Sequence, residues 1–376
     1  MQSKNLLFIL LLISSLLNFS CRKDEPDIEN VDEFEEYLLD ELDIQDIPAM
    51  SVLIFRNNDV IYEKYLGKSN IQQNLNLANN HLFLLASISK VVTATALLQL
   101  EEDGNFSLDD NINDYLPFNV NVPGYSKQIS FKMLLTHTSG IADGSALDSQ
   151  YFDNQDSPIQ LSYFLENYLK PGGIYYNANE NFYDFEPGED YEYSNIGSAL
   201  IALLVEEISS MDFNTYCKQN IFTPLGMTNT FWRLDEISQT IVTPYDYSNG
   251  RNRALANYTF TDYPNGGLRS TGRDLLKLIN AFNNGGISNN HQLLKSSTVN
   301  AVLSSQIPSI DSEVGLHMFI MNKEFNLWGH DGGEKGVATT MAFNPSTKIG
   351  AIILTNQGDA ELDEILKEAY KIGLSL

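Results

Sequence analysis

The sequence predicts an α+β fold in which an antiparallel sheet is flanked by helices and carries an inserted helical lobe. Short apolar runs bounded by turn residues, which are typical of strands, occur near both ends of the chain, at 50–65 and 337–355. Segments with the apolar spacing of helices occupy most of the chain between them. A sheet assembled from the two ends leaves the middle as a separate lobe, with a cleft between the two parts.

The strands are predicted from apolar runs on either side of turn residues. Near the start, runs at 50–56 and 60–65 surround the sequence Asn-Asn-Asp, which favours a hairpin. Near the end, runs at 337–343 and 349–355 surround Asn-Pro-Ser-Thr in the same way. Each end of the chain therefore supplies one hairpin.

The helices are predicted from apolar residues that recur every three or four positions. At 31–42, Phe34, Leu38 and Leu42 lie on one face with acidic residues between them. Further helices are predicted at 87–102, 161–169, 195–208, 271–283 and 361–372. The Tyr- and Asn-rich segment 172–184 is predicted to be a long surface loop. These assignments place the sheet part at 30–85 and 295–376 and the helical lobe at 86–294.

The first residues carry a targeting pattern. Lys4 precedes an apolar run at 6–17, which is shorter than the about 20 residues of a membrane-spanning helix and indicates a signal peptide over 1–20. A serine and then Cys21 follow the run. The polar, proline-containing tether at 21–29 is of the kind that follows a lipidated cysteine in bacterial lipoproteins. We expect export to the bacterial cell envelope, at a periplasmic or surface location, with acyl chains on Cys21 as the membrane anchor; secretion without lipid is the alternative.

Composition excludes several classes of function. The chain has 49 acidic and 23 basic side chains and a net charge of −26, which disfavours nucleic acid as a partner. Two cysteines cannot form a disulfide framework. No clustering of Asp, Glu and His in the sequence suggests a metal, so we expect neither a metal nor another cofactor.

A candidate nucleophile lies in the pattern Ser-x-x-Lys at Ser87 and Lys90. The spacing places both side chains on one face of a helix. The helix N-terminus stabilises a developing oxyanion near Ser87, and burial of Lys90 would lower its pKa, so that it could handle a proton. The alternative is that Ser87 only caps the helix and Lys90 is a surface charge.

A second proton-handling group is indicated by the pattern Tyr-x-Asn, which occurs four times, starting at Tyr175, Tyr193, Tyr247 and Tyr263. We favour Tyr193 with Asn195, because this match runs directly into the apolar helix predicted at 195–208. The match at Tyr247 runs into a polar turn instead. An ordinary half-buried tyrosine is the alternative at Tyr193.

The third candidate element is a glycine-rich segment before the last hairpin, with His330, Gly332 and Gly333. Glycines allow a substrate to approach the backbone and allow an N–H to point at a reacting carbonyl. Of five histidines, only His330 lies in such a strand entrance. We expect this edge of the sheet to bind an extended substrate.

Taken in order, Ser-x-x-Lys, Tyr-x-Asn and His-x-Gly resemble the motifs of the serine β-lactamase and penicillin-binding protein superfamily. Within it the chain most resembles the class C β-lactamase-related group, which includes D,D-carboxypeptidases, D-aminopeptidases and esterases. The resemblance covers about residues 30–376, as one serine hydrolase domain. Short segments between the motifs also resemble landmarks of this family, and they lie at 107–110, 133–140, 185–188, 224–227 and 266–270.

The resemblance implies a β-lactamase/transpeptidase-like fold and a role for each residue. Ser87 would be the acylated nucleophile, Lys90 its proton partner and Tyr193 the general base. Asn195 would orient the substrate or the lysine. His330 stands where many members carry lysine, and the backbone N–H groups of Ser87 and Gly333, beside Gly332, would form the oxyanion hole.

The resemblance therefore implies a serine hydrolase that forms an acyl-enzyme on a peptide, amide or ester, such as a cell-wall-type D-peptide or a small ester. We expect weak or no β-lactamase activity, because Asp331 and Glu334 would repel the carboxylate of a β-lactam. The alternative is a catalytically silent lipoprotein of the same fold that binds the cell wall or acts as a scaffold.

Overall fold

The computed structural model describes residues 28–376. The helices are α1 Val31–Ile44, α2 Ser89–Glu102, α3 Phe131–Leu135, α4 Leu161–Leu169, α5 Asn195–Ser209, α6 Phe213–Cys217, α7 Thr223–Leu225, α8 Gly272–Asn283, α9 Ser296–Val302 and α10 Asp363–Ser375. The strands are β1 Ala49–Arg56, β2 Asp59–Asn70, β3 Leu75–Asn76, β4 Phe83–Leu84, β5 Tyr151–Asp153, β6 Tyr245–Ser248, β7 Arg251–Ala254, β8 Tyr258–Phe260, β9 Arg269–Ser270, β10 Ile287–Ser288, β11 His291–Gln292, β12 Phe319–Asn322, β13 Leu327–Glu334, β14 Val337–Asn344 and β15 Ile349–Thr355.

A seven-stranded antiparallel sheet joins the two ends of the chain, in the order β12-β13-β14-β15-β1-β2-β3. The junction is the pair β1 and β15, in which Met50 lies opposite Thr355 and Arg56 opposite Ile349. Almost every residue of these two strands is buried, because helices cover both faces. The α+β fold with a sheet built from both ends is confirmed.

One face of the sheet is covered by α1 and α10, which are the first and the last helix in the described part of the chain. Phe34 and Leu38 of α1 and Ile365 of α10 are fully buried in one cluster with Val52 and Ile353 of the sheet. Each such side chain contributes about 1.5 to 3 kcal/mol of hydrophobic free energy when it is removed from water. This face thus ties the ends of the chain together.

The opposite face supports the helical part. Helix α5 is buried on all sides over residues 196–205, which is the pattern of a central helix, and it packs against α2. Helix α8, within the range 86–294 expected as the lobe, packs instead against β1 and β15. Its strongly one-sided apolar pattern, with Leu275 and Ile279 buried, suits a helix that covers a sheet.

The segment 172–184 runs without helix or strand, as the sequence predicts. It is not wholly superficial, since Asn181 is fully buried and its amide donates to the Tyr168 and Tyr175 carbonyls.

Within residues 28–376, no helix is both long and apolar enough to span a bilayer. The predicted signal peptide at 1–20, Cys21 and most of the tether at 21–29 lie outside the described residues.

Candidate active site

Ser87 lies in a short 3-10 turn, Ala86–Ile88, that leads into α2 and packs against β13. In the stretch 81–98 it is the one residue that is not buried, so the nucleophile candidate is partly exposed to solvent in an otherwise buried segment. Ala86 before it has a left-handed φ of 48°, which costs free energy for a residue with a side chain. The α-helix predicted from residue 87 begins at Ser89, because Ser87 and Ile88 belong to the 3-10 turn, and Ile88 holds the cap position. The alternative in which Ser87 caps this helix is wrong.

Lys90 is fully buried beneath Ser87, so the alternative of a surface charge is also wrong. Its Nζ atom lies 3.1 Å from Ser87 Oγ, 2.8 Å from Asn195 Oδ1 and 2.7 Å from the Asn265 carbonyl oxygen. Burial lowers the pKa of Lys90 to about 7, against the opposing effect of nearby carboxylates, of which Asp143 is the strongest. A substantial fraction of Lys90 is thus neutral at physiological pH.

Tyr193 lies at the entrance to α5, two residues before the helix begins at Asn195. Lys90 Nζ is 5.0 Å from the centroid of its ring. The ring is partly exposed, but the hydroxyl oxygen is buried and has no full hydrogen bond within residues 28–376. Burial raises the pKa of Tyr193 well above its ordinary value, although the neighbouring Ser87 hydroxyl opposes the rise. Tyr193 is therefore a phenol, not a phenolate, at neutral pH.

Two of the four Tyr-x-Asn matches converge on Lys90. The match at Tyr193 contributes the Asn195 amide oxygen, and the match at Tyr263 contributes the carbonyl oxygen of Asn265 from a 3-10 turn. Tyr247 lies in strand β6, beside the β6–β7 turn. Sequence reasoning missed Asn265, because the contact is made by its backbone carbonyl oxygen, a group that every residue type has.

Sequence reasoning also missed two acidic residues. Asp143 accepts hydrogen bonds from the backbone N–H and the Nδ2 of Asn195, at 2.9 and 2.8 Å. Asp262 is buried and accepts from the Nδ2 of Asn265 at 2.6 Å; burial raises the pKa of Asp262 to about 7. Neither carboxylate belongs to a sequence motif that could have marked it as part of the site. The one sequence feature that points to Asp143 is its position shortly after segment 133–140, which resembles a family landmark.

His330 is fully buried in β13, and its ring lies at a steep angle to that of Tyr193, with 6.3 Å between the two ring centroids. Its Nδ1 donates to the Asp331 carbonyl oxygen at 2.6 Å, and in the neutral form of this tautomer Nε2 is the nitrogen that can accept a hydrogen bond. Nε2 has no partner among the described residues. His330 therefore offers a hydrogen-bond acceptor beside the tyrosine.

Gly332 and Gly333 differ in the space around them. A Cβ at Gly332 would collide with the Leu85 carbonyl and lie 2.5 Å from Thr339 Oγ1, so only glycine allows β13 to approach the Ser87 turn. A Cβ at Gly333 would meet open space.

The edge of β13 is open at the site. Strand β12 pairs with β13 only as far as Gly329. The two-residue turn makes Glu334 and Val337 the hydrogen-bonded pair of the hairpin, and alternate pairing then directs the Gly333 N–H away from β14, to this open edge.

The site is acidic. Asp331 has a 71% exposed side chain, 3.6 Å from His330 Nδ1, and this neighbour lowers the pKa of Asp331. Glu334 accepts from the Tyr151 hydroxyl at 3.2 Å.

Within residues 28–376, no group of three or more His, Cys, Asp or Glu side chains is arranged to hold a metal ion.

Comparison with known proteins shows the family to which the chain belongs. The family model described as Beta-lactamase matches residues 31–373. Penicillin-binding protein 4* of Bacillus subtilis is 33% identical over 182 residues, which are 48% of this chain and 37% of that protein. The chain thus spans well under half the length of this curated relative.

Two solved structures share the fold at low sequence identity. The octameric penicillin-binding protein homologue from Pyrococcus abyssi is 22% identical with a TM-score of 0.73, over 92% of this chain and 77% of that one. A class C β-lactamase in complex with cefoxitin is 21% identical with a TM-score of 0.70, over 92% and 98%.

Proposed function

Because this chain belongs to the beta-lactamase family and is a serine hydrolase of that fold, we propose that Ser87 is its nucleophile and that Lys90 takes the proton from Ser87. The reaction passes through an acyl-enzyme on Ser87. The substrate is a peptide, amide or ester.

The hydrogen bonds of Lys90 carry this proposal. A neutral amine has two N–H groups and one lone pair. The two carbonyl oxygens, of Asn195 and Asn265, accept the two N–H groups at 2.8 and 2.7 Å. The lone pair then faces Ser87 Oγ, at 3.1 Å, and accepts the proton as Ser87 attacks.

Tyr193 has a different task from the general base that the resemblance implies. Its raised pKa makes the phenolate costly, whereas Lys90 is already partly neutral. We therefore assign Tyr193 as a proton relay beside Ser87: its hydroxyl gives its proton to the leaving group and regains the proton that Lys90 took from Ser87, so that no free phenolate accumulates. The His330 ring lies beside the Tyr193 ring, and neither His330 Nε2 nor the Tyr193 hydroxyl has a full partner among the described residues, so Nε2 would help to orient the hydroxyl.

The oxyanion of the tetrahedral intermediate is stabilised by the backbone N–H groups of Ser87 and Gly333. One donor of this kind is worth about 2.7 to 4 kcal/mol in the transition state. Gly332 lets the strand lie close to the Ser87 turn, and this close approach is what two donors from separate segments need in order to share one oxygen. An extended substrate would pair with the open edge of β13.

The acidic surroundings favour neutral or cationic substrates. Asp331 and Glu334 border the open edge, and Asp143 adds negative charge behind Lys90, as does Asp262 when it is ionised. A substrate carboxylate would be repelled, whereas a small ester or a peptide with a free amine would not. We therefore propose weak β-lactam turnover and an esterase-like or D-aminopeptidase-like preference. Export and lipidation at Cys21 remain a prediction from the sequence.

The proposal is tested by labelling with a fluorophosphonate probe, which reacts with an activated serine. Wild type should be labelled and Ser87→Ala should not, and peptide mapping should locate the adduct on Ser87. Wild type and Ser87→Ala that react alike would refute the proposal, and the absence of any adduct would favour a silent binding protein. Rates on p-nitrophenyl esters, D-amino acid amides, D-alanyl dipeptides and nitrocefin then rank the substrate classes.

A further inference from the structure

We infer that Asp143 is a positioning residue of the Ser87 site: its carboxylate fixes the orientation of the Asn195 amide and places a negative charge behind Lys90. This inference rests on the proposed function, since it assigns how the proton acceptor is held. Asp143 lies after α3 and before β5, apart in sequence from all three motifs.

The contacts of Asp143 are those of a residue that locks one amide. Oδ2 accepts from the backbone N–H of Asn195 at 2.9 Å and from its Nδ2 at 2.8 Å. Oδ1 accepts from the backbone N–H of Ile196 at 3.0 Å. Three donors thus hold the carboxylate in one plane, and one of them belongs to the side chain that contacts Lys90.

The bond to Nδ2 determines which end of the amide faces the lysine. In the observed orientation, Oδ1 of Asn195 accepts from Lys90 and Nδ2 donates to Asp143. If the amide rotated by half a turn, two donors would meet at Lys90 and two acceptors would meet at Asp143. Both contacts would be repulsive, so the carboxylate excludes the rotated amide.

The charge of Asp143 also acts on Lys90. Of the carboxylates that raise the pKa of Lys90 against burial, Asp143 has the largest effect, before Asp262, Glu334 and Asp331. The other titratable groups around the lysine are Tyr193, His137, His317 and His330. Without Asp143, burial would depress the pKa of Lys90 further and weaken it as a base.

A purely structural role would be to cap helix α5, because Asp143 accepts from two N–H groups of its first turn. That helix already has its own cap, since Ser194 Oγ accepts from the Gly197 N–H at 2.8 Å. Ser194→Ala therefore provides a matched control, because it weakens the same helix end and leaves the Asn195 amide and Lys90 in place.

The test is the rate of fluorophosphonate labelling of Ser87 between pH 5 and 9 in wild type, Asp143→Asn and Ser194→Ala, with thermal unfolding of each. The rate of the wild type should rise with pH as Lys90 loses its proton. In Asp143→Asn the midpoint should move to lower pH by roughly half a unit or more, because a negative charge near Lys90 is gone. The rate at its plateau should fall about tenfold or more, because the lone pair loses its alignment.

The control separates the outcomes. Ser194→Ala should unfold at a lower temperature with an unchanged midpoint. Asp143→Ser, which removes the charge and keeps a small acceptor, should move the midpoint in the same direction as Asp143→Asn. An unmoved midpoint and a rate within twofold of wild type, in either Asp143 variant that folds, would overturn the inference. If wild type itself gave no Ser87 adduct, the proposed function would fail instead.

Discussion

Replacing Lys90 with methionine should remove a destabilisation of the wild type that is complete at and below neutral pH and fades as the pH rises towards 10.5. The Lys90 side chain is fully buried, and burial lowers its pKa to about 7. In the unfolded chain the same amine has its ordinary pKa of 10.5. The folded protein must therefore either bury a charge or give up a proton that the unfolded chain keeps.

The sign and size follow from proton linkage. Between pH 7 and 10.5 the unfolded state binds more protons than the folded state, so the stability of the wild type rises with pH in this window. The whole effect amounts to about 5 kcal/mol, and about 3 kcal/mol of it falls between pH 7 and 9.5. Asn195 and Asn265 lose a hydrogen-bond donor in Lys90→Met, but this cost is nearly independent of pH.

The assay is denaturant unfolding of wild type and Lys90→Met at pH 7 and at pH 9.5. At each pH the free energy of unfolding of the variant is subtracted from that of the wild type. We expect this difference to be about 3 kcal/mol more favourable to the wild type at pH 9.5 than at pH 7. Lys295→Met, at an exposed lysine, controls for the loss of one positive charge. A gap between wild type and Lys90→Met that stays constant with pH would refute the claim that burial makes this lysine a weak base.

Three further substitutions test other parts of the site. Tyr193→Phe should lower the rate of ester hydrolysis about 100-fold or more, as expected for loss of a proton-transfer group, while Tyr247→Phe should leave it nearly unchanged; equal losses would contradict the assignment. Gly332→Ala should abolish Ser87 labelling and lower the unfolding temperature, because a Cβ there would collide with a backbone carbonyl, whereas Gly333→Ala should keep the stability of the wild type. Asp331→Thr should speed nitrocefin turnover by about threefold or more by removing a negative charge at the open edge; a slower rate would argue against charge repulsion as the reason for weak β-lactam turnover.

Much of the fold could be predicted because its elements have regular patterns. The apolar spacing of Phe34, Leu38 and Leu42 and the polar turns of the two hairpins mark α1 and the sheet. The placement of α8 on the sheet could not be predicted, since an amphipathic pattern shows that a helix has a buried face but not which element covers it. The 3-10 turn that precedes α2 and the left-handed φ of Ala86 within it have no signature in residue type.

In the candidate site, too, the residues in short motifs could be predicted and the groups around them could not. The structure brings the motif residues to one place: Ser87, Lys90, Tyr193, Asn195 and His330. The groups that complete the surroundings of Lys90 come from distant loops, because a hydrogen bond to a carbonyl or between a carboxylate and an amide depends on three-dimensional proximity. One example is the hydrogen bond from Lys90 to the backbone carbonyl oxygen of Asn265, which belongs to a second Tyr-x-Asn match.

The central claim is that Ser87 carries the acyl group while Lys90 takes its proton. The most direct measurement is acid quenching of the protein during turnover of a p-nitrophenyl ester, followed by mass analysis of its peptides. We predict one acyl group, located on Ser87 in the wild type and absent in Ser87→Ala, which should also lose hydrolysis. An acyl group on another residue, or undiminished hydrolysis by Ser87→Ala, would contradict the account.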